Sequence, residues 1–145
     1  MKESWGSGQM RKLFYIICMG LAIWGLFGGC EVTDMKEGDK KPVEYTVVLE
    51  KELPEEIHSL IEQKKEHDFQ MTYQDGEDLY LIRGYGKQEK GGYSIQVEEV
   101  YMGTSAITVK TSLLGPPRGE TQILEPSYPY IVLKIPYQDV PVQFQ

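Results

Sequence analysis

The chain has 145 residues and a formal net charge of −7, from 15 basic and 22 acidic side chains. This length corresponds to one domain once a targeting segment is removed. An acidic chain without a basic stripe is a poor ligand for nucleic acid, so we expect no nucleic-acid partner. The two cysteines, Cys18 and Cys30, leave the rest of the chain without a disulfide pair. The domain must therefore be stabilised by its own hydrophobic core.

The first 29 residues have the three parts of a secretory signal peptide. The segment up to Lys12 carries three bases against one acid, residues 13–29 carry no charge, and the composition turns acidic after Cys30. The uncharged run of about 17 residues is shorter than the roughly 20 that a membrane-spanning helix usually needs. We therefore predict a signal peptide over residues 1–29.

The end of this segment resembles the lipobox of bacterial lipoproteins. Residues 26–30 read Leu-Phe-Gly-Gly-Cys, with Phe27 where leucine is common. The resemblance implies that signal peptidase II cleaves before Cys30 and that lipid, diacylglycerol and palmitate, anchors Cys30 to the extracytoplasmic face of the cell membrane. The alternative is an uncleaved signal anchor over residues 13–29. Both interpretations place residues 31–145 outside the cytoplasm.

The segment after the cysteine changes from polar to patterned sequence. Residues 30–42 are rich in Asp, Glu, Lys and Gly, which predicts a flexible tether of about 12 residues, followed by a single globular domain over residues 43–145. Alternating apolar residues over 43–49 predict a strand. Pro54, two acids and an apolar stripe at helical spacing predict an amphipathic helix from Pro54 to about Glu66.

The rest of the chain is predicted to be β-structure. Residues 79–85 are apolar on both faces, which is typical of an interior strand. The alternation that begins at Tyr93 changes phase at Glu98 and Glu99, which predicts a β-bulge. Further strands are predicted at 69–73, 107–113 and 130–135, with a short edge strand within 140–145. The pattern predicts a mainly β (α+β) fold, a small antiparallel β-sandwich or half-open barrel with one appended helix, in an undetermined strand order.

Catalytic and metal-binding patterns are weak. His58 and His67 do not have the spacing of a zinc-protease motif, and no serine lies in a Gly-x-Ser-x-Gly setting. Glu98 and Glu99 are adjacent, and the acids after Asp75 fit a plain turn better than a calcium loop. We therefore expect no catalytic residues, no metal and no cofactor, and we predict that the chain is not an enzyme.

Two loops are the strongest remaining candidates for a functional site. The segment 84–93 has four glycines between two predicted strands, which permits positive φ and close backbone approach. The segment 114–130 is rich in proline and therefore indicates a long excursion that enters an edge strand. Loops held on a rigid sheet are common sites of recognition.

These loops resemble the C-terminal domain of the PrcB family. The resemblance runs over about residues 79–136, with Lys90 where the family usually has threonine before Gly-Gly-Tyr. It implies an accessory lipoprotein subunit of a surface protease complex built around a subtilisin-like protease. The residues that it suggests for partner binding are Gly86, Lys90, Gly91, Gly92, Tyr93, Gly115, Pro116, Tyr128, Pro129 and Tyr130.

Three functional hypotheses follow. The first is a non-enzymatic, membrane-anchored lipoprotein that binds an exported protease or another surface protein. The second is a protease inhibitor that uses the glycine-rich loop, which is faintly similar to a loop of chagasin-type inhibitors. The third is a small-ligand or glycan-binding module that uses some of the ten tyrosines.

Overall fold

The computed structural model describes residues 39–145, which form two β-sheets and one α-helix. The strands are β1 (Lys41–Pro42), β2 (Thr46–Val47), β3 (Asp68–Asp75), β4 (Asp78–Tyr85), β5 (Ser94–Met102), β6 (Ile107–Leu114), β7 (Tyr130–Pro136) and β8 (Val142–Phe144). The helix α1 spans Glu55–Lys64. The predicted signal peptide over residues 1–29 and Cys30 lie outside the described residues. Within the described part, no helix is long and apolar enough to span a membrane.

The strands form two four-stranded sheets. Sheet A has the order β1-β5-β6-β8 and sheet B has the order β2-β7-β4-β3. Every pairing is antiparallel except that of β6 with β8, which is parallel. The predicted mainly β fold with one helix is confirmed, as a sandwich rather than a half-open barrel. The strand at the C-terminal end, within residues 140–145, was also predicted.

The main core lies between the two sheets and is built by alternate residues of the central strands. The buried members from β4, β5, β6 and β7 are Leu79, Leu81, Val100, Ile107, Val109, Leu133 and Ile135. Side chains of a strand alternate between faces, so the intervening residues of β4 face the other way. Those residues, Tyr80 and Ile82, are also buried. The prediction of an interior strand at 79–85 is therefore confirmed.

The helix covers the outer face of sheet B. Ile57 and Ile61, one turn apart on α1, are fully buried against Tyr80, Ile82 and Val132. Pro54 is the N-cap, and two glutamates in the first turn favour the positive end of the helix dipole. Sheet B is therefore buried on both faces over its two central strands, whereas sheet A packs on one face only.

The N-terminal strand prediction is wrong in detail. Residues 43–49 do not form one strand, because the chain leaves sheet A after β1 and crosses to sheet B at β2. Val43 packs in the main core and Val48 packs under the helix, so alternation over this segment does not mark one face. Lys41 and Pro42, assigned to the tether, pair instead with Met102 and Tyr101 of β5.

The predicted bulge in β5 is confirmed. The register of β5 against β6 shifts between Val97 and Glu99, which leaves Glu98 as the extra residue. The Nζ of Lys110 lies 3.1 Å from Oε2 of Glu98. The hydrogen bond from this cation lowers the pKa of the Glu98 carboxyl below its ordinary value. The bulge keeps Val97 and Val100 directed inward although they are three residues apart.

Candidate functional site

The two loops singled out in the sequence meet at one end of the sandwich, which we call the loop end. β4 and β6 finish there, and β5 and β7 begin there. The glycine loop is the connection of residues 86–93 between β4 and β5. The proline loop is the connection of residues 115–129 between β6 and β7. The opposite end, with the connections 76–77 and 103–106, is called the turn end.

Backbone hydrogen bonds join the two loops. Gln88 and Ser127 exchange N–H···O bonds of 2.8 and 3.0 Å, and the N–H of Gly91 donates to the carbonyl of Ile123 at 2.9 Å. The Ser127 hydroxyl donates to the carbonyl of Lys90 at 2.7 Å. The loops therefore form one continuous surface, and the sequence-based prediction that both contribute to one region is compatible with this geometry.

The glycines of the first loop serve its packing. Gly86 is buried with a φ of 73°, and a Cβ there would lie 2.9 Å from the backbone nitrogen of Asp68. Gly91 is buried as well, and a Cβ there would lie 2.8 Å from the side chain of Ile123. Gly92 is exposed with a φ of 85° beside Pro116. Gly86 and Gly91 thus shape the surface from beneath, whereas Gly92 lies on it.

The remaining candidates are divided between the surface and its support. Lys90 is exposed and its Nζ donates to Oε1 of Gln122 at 2.9 Å. Gly115 is exposed, and Tyr93 and Pro116 are half-buried. A concave pocket of about 320 Å³ lies between the loops. Its lining is formed by Gly91, Gly92 and residues 116–123.

The end of the proline loop is anchored to sheet B and the helix. The N–H of Tyr85 donates to the carbonyl of Pro129 at 3.0 Å. The Nζ of Lys65 lies 5.0 Å from the centroid of the Tyr128 ring, a cation–π arrangement. Tyr130 packs against the helix cluster, and burial, followed by the charges of Glu50 and Glu62, raises the pKa of its hydroxyl.

A charged pair supports the loop end from below. Both terminal nitrogens of Arg83 donate to the carboxylate of Asp68, at 2.8 and 2.9 Å, and Nη1 also donates to the carbonyls of Phe69 and Gly84. Asp68 raises the pKa of Arg83 above its ordinary value. Because a bidentate pair fixes orientation as well as charge, it holds β3 and β4 together where the glycine loop begins.

The exposed apolar side chains of the loop end were not predicted from the sequence. Leu114 is 43% exposed, Ile123 is 54% exposed and Leu124 is 75% exposed. We call these three residues the loop-end apolar patch. The signal was an Ile-Leu pair inside an otherwise polar and proline-rich segment, where neither strand nor helix requires it. Ile123 and Leu124 are neighbours in the chain, and Leu114 directly precedes the same loop.

Metal ligands and ligand-binding tyrosines are the other candidate groups within the described residues. In residues 39–145, no group of three or more His, Cys, Asp or Glu side chains is arranged to hold a metal ion. Two of the tyrosines have structural roles: Tyr80 is buried, and the hydroxyl of Tyr85 pairs with the hydroxyl of Thr111 at 2.7 Å. The loop end presents exposed apolar side chains and the pocket between the two loops.

The described residues form a small β-sandwich with two interlocked loops at one end. Residues 79–136 match the family model described as PrcB C-terminal, so this part of the chain is similar to that domain. The match begins in β4 and ends with β7, and it includes both loops. No curated protein and no solved structure matches the chain.

Proposed function

We propose that this protein is a non-enzymatic, lipid-anchored accessory subunit that binds an exported subtilisin-like protease through the loop end. The observation that carries the proposal is the loop-end apolar patch, which lies inside the PrcB C-terminal match. The family name supports association with a protease complex. The nature of the surface supports binding rather than chemistry.

The patch is costly unless another surface covers it. Leu124 leaves 75% of its surface exposed, although each apolar side chain gains about 1.5–3 kcal/mol when fully buried. The loops beneath it are tied by hydrogen bonds and by the packing of Ile123 on Gly91. A surface that is already ordered loses little conformational entropy on binding, which favours affinity.

The loop-end experiment uses the full chain co-expressed with an exported subtilisin-like protease of the same organism. We expect a complex of defined stoichiometry after detergent extraction. Leu124→Ser should weaken it about ten-fold or more, because a central apolar contact is typically worth more than 1.4 kcal/mol. The control is Tyr137→Ser, which removes an apolar side chain that is 41% exposed at the turn end. Absence of any protease complex, or equal effects of both variants, contradicts the proposal.

The inhibitor hypothesis makes the opposite prediction for activity in the same complex. An accessory subunit leaves the bound protease active on peptide substrates, whereas an inhibitor abolishes this activity at stoichiometric amounts. Gly91 is buried against Ile123 and so is not free to enter a protease cleft, which favours the accessory role. We therefore expect activity to be retained, as measured by cleavage of a fluorogenic peptide.

The anchoring part of the proposal rests on the signal-peptide pattern and the lipobox-like residues 26–30. Mass spectrometry of the mature N-terminus tests it directly. We expect a chain that begins at Cys30 with the mass of a diacylglyceryl group and an acyl chain. An N-terminal Met1, or a Cys30 that carries no lipid, contradicts it.

A further inference from the structure

The four edges of the two sheets are very unequal. Among the described residues, the edge strands β1, β2 and β8 are two, two and three residues long, but β3 has eight residues. Short edge strands are one way in which proteins prevent unwanted pairing. β1 pairs with only two residues of β5, but the part of β5 that it leaves open contains the bulge at Glu98 and two glutamates. β3 has neither kind of protection, because its register against β4 is continuous from Asp68 to Asp75 without a bulge.

The sequence of β3 also lacks the usual protective residues. The six residues 69–74, Phe-Gln-Met-Thr-Tyr-Gln, contain no charge and no proline, although 26% of the chain is charged. Lysine, proline and inward-pointing charges are the residues that normally prevent edge-to-edge pairing. An uncharged edge of this length is therefore available for a further strand.

The hydrogen-bonding direction of β3 follows from its neighbours. The Tyr85 N–H points from β4 towards β7, where it meets the carbonyl of Pro129. Asp68 pairs with Tyr85, so its own backbone groups point away from β4. The backbone N–H and C=O groups of successive residues point to opposite sides of a strand. Those of Gln70, Thr72 and Gln74 therefore face the open edge, as those of Asp68 do.

We propose that this open edge pairs with β3 of a second copy of the chain, as an antiparallel, two-fold symmetric dimer. In such a dimer, residues whose backbone groups face the open edge must lie opposite each other. The backbone groups of Asp75 face β4, so Asp68 cannot lie opposite Asp75. The register centred on Met71 places Gln70 opposite Thr72 and Asp68 opposite Gln74 of the second copy. It forms about eight inter-strand hydrogen bonds.

The side chains in this register are complementary. Phe69 lies opposite Tyr73 of the second copy, and Met71 lies opposite Met71. These residues extend the apolar cluster beneath the helix. Aromatic pairs across strands are stabilising. His67 lies opposite Asp75, so no like charges face each other. Because residues 69–74 carry no charge, the edge has no ion pair to offer a basic ligand. Its residues are instead complementary to those of a second copy.

Cysteine cross-linking tests the register. Gln70→Cys and Thr72→Cys are made separately in full-length chains that carry Cys18→Ser and Cys30→Ser, and the two are mixed in detergent with excess micelles. Hydrogen-bonded cross-strand residues have Cα atoms about 5.5 Å apart, within the range of a disulfide. We expect the mixture to oxidise to a covalent dimer much faster than either variant alone. Thr72→Cys mixed with Gln96→Cys, on the outer face of sheet A, is the control.

Sedimentation of the full chain in density-matched detergent tests the association itself. Thr72→Pro removes an outward-facing N–H without removing a bond to β4, and should weaken the dimer about thirty-fold through two lost hydrogen bonds. Thr72→Lys should act in the same direction, while Gln96→Lys should not, and circular dichroism checks that each variant is folded. A monomer at all concentrations, or a dimer unaffected by Thr72→Lys, overturns the proposal. Equal cross-linking in the control mixture also overturns it.

Discussion

The loop end and the turn end close the same sandwich in different ways. At the turn end, β3 and β4 are joined by Gly76 and Glu77 alone, and β5 and β6 by residues 103–106, whose first N–H donates to the carbonyl of Ala106 at 2.8 Å. At the loop end, the corresponding connections run over residues 86–93 and 115–129. The turn end therefore needs only local geometry, whereas the loop end needs contacts between two distant segments.

The glycines illustrate this difference. Gly76 at the turn end has a φ of 60° and open space around its Cα, so only backbone conformation requires a glycine. Gly86 and Gly91 at the loop end are surrounded by atoms of other segments. The proposed binding surface lies where the connections are long, and its order depends on packing between segments that are distant in the sequence.

The largest expected effect is on the backbone of the loop end. Gly86→Ala places a Cβ against the backbone of His67 and Asp68 in addition to a positive φ. We expect it to reduce the free energy of unfolding by about 2–4 kcal/mol. Gly76→Ala, with the positive φ alone, should cost about 1 kcal/mol. Urea denaturation of both variants measures the difference, and equal losses would show that the two ends are equivalent.

A smaller effect is expected on the contact between the loops. Gly91→Ala inserts a methyl group against Ile123 and should destabilise the domain by about 1 kcal/mol while weakening the bond from the Gly91 N–H. The matched variant is Gly115→Ala, where nothing lies within 4 Å. Hydrogen exchange should be accelerated in residues 88–92 and 122–127 for Gly91→Ala only. Unchanged exchange in both variants would contradict interlocked loops.

The smallest effect concerns Tyr130, where the proline loop enters the sheet. Burial raises the pKa of its hydroxyl in the folded protein, so the stability linked to it is fully present below the unfolded pKa of about 10. That stability is lost as pH rises through the folded pKa. Tyr130→Phe should therefore reduce the loss of stability above pH 10, measured by denaturation midpoints. A loss as steep as that of the native protein contradicts this assignment.

Local patterns predicted the elements of this fold well. The helix, the two-faced strand β4 and the bulge at Glu98 all follow from spacing that acts over a few residues. The crossing between sheets at residues 43–48 did not follow from spacing. Val43 and Val48 enter different cores, and this depends on which strand each segment meets.

The candidate site was predicted less completely. The two loops were identified from their glycines and prolines, but the exposure of Ile123 and Leu124 was not. An apolar residue in a loop can be buried in the core or exposed to solvent, and only the tertiary path of the proline loop determines which of the two applies. Gly86 and Gly91 were assigned to partner contact, although their burial assigns them to the support of the surface. That Gly86 and Gly91 contribute to partner binding by supporting the surface stays a prediction.

The pairing of β1 with β5 determines at which end of the sandwich the described chain begins. Lys41 lies opposite Met102, and Asp39 lies beside Gly103 and Thr104, so the described chain starts at the turn end. If lipid on Cys30 anchors the protein as proposed, only residues 31–38 separate the lipid from the described domain. The turn end would then face the bilayer and the loop end would face outward. The anchor would act as an orienting device that presents one pole of the sandwich to proteins arriving from outside.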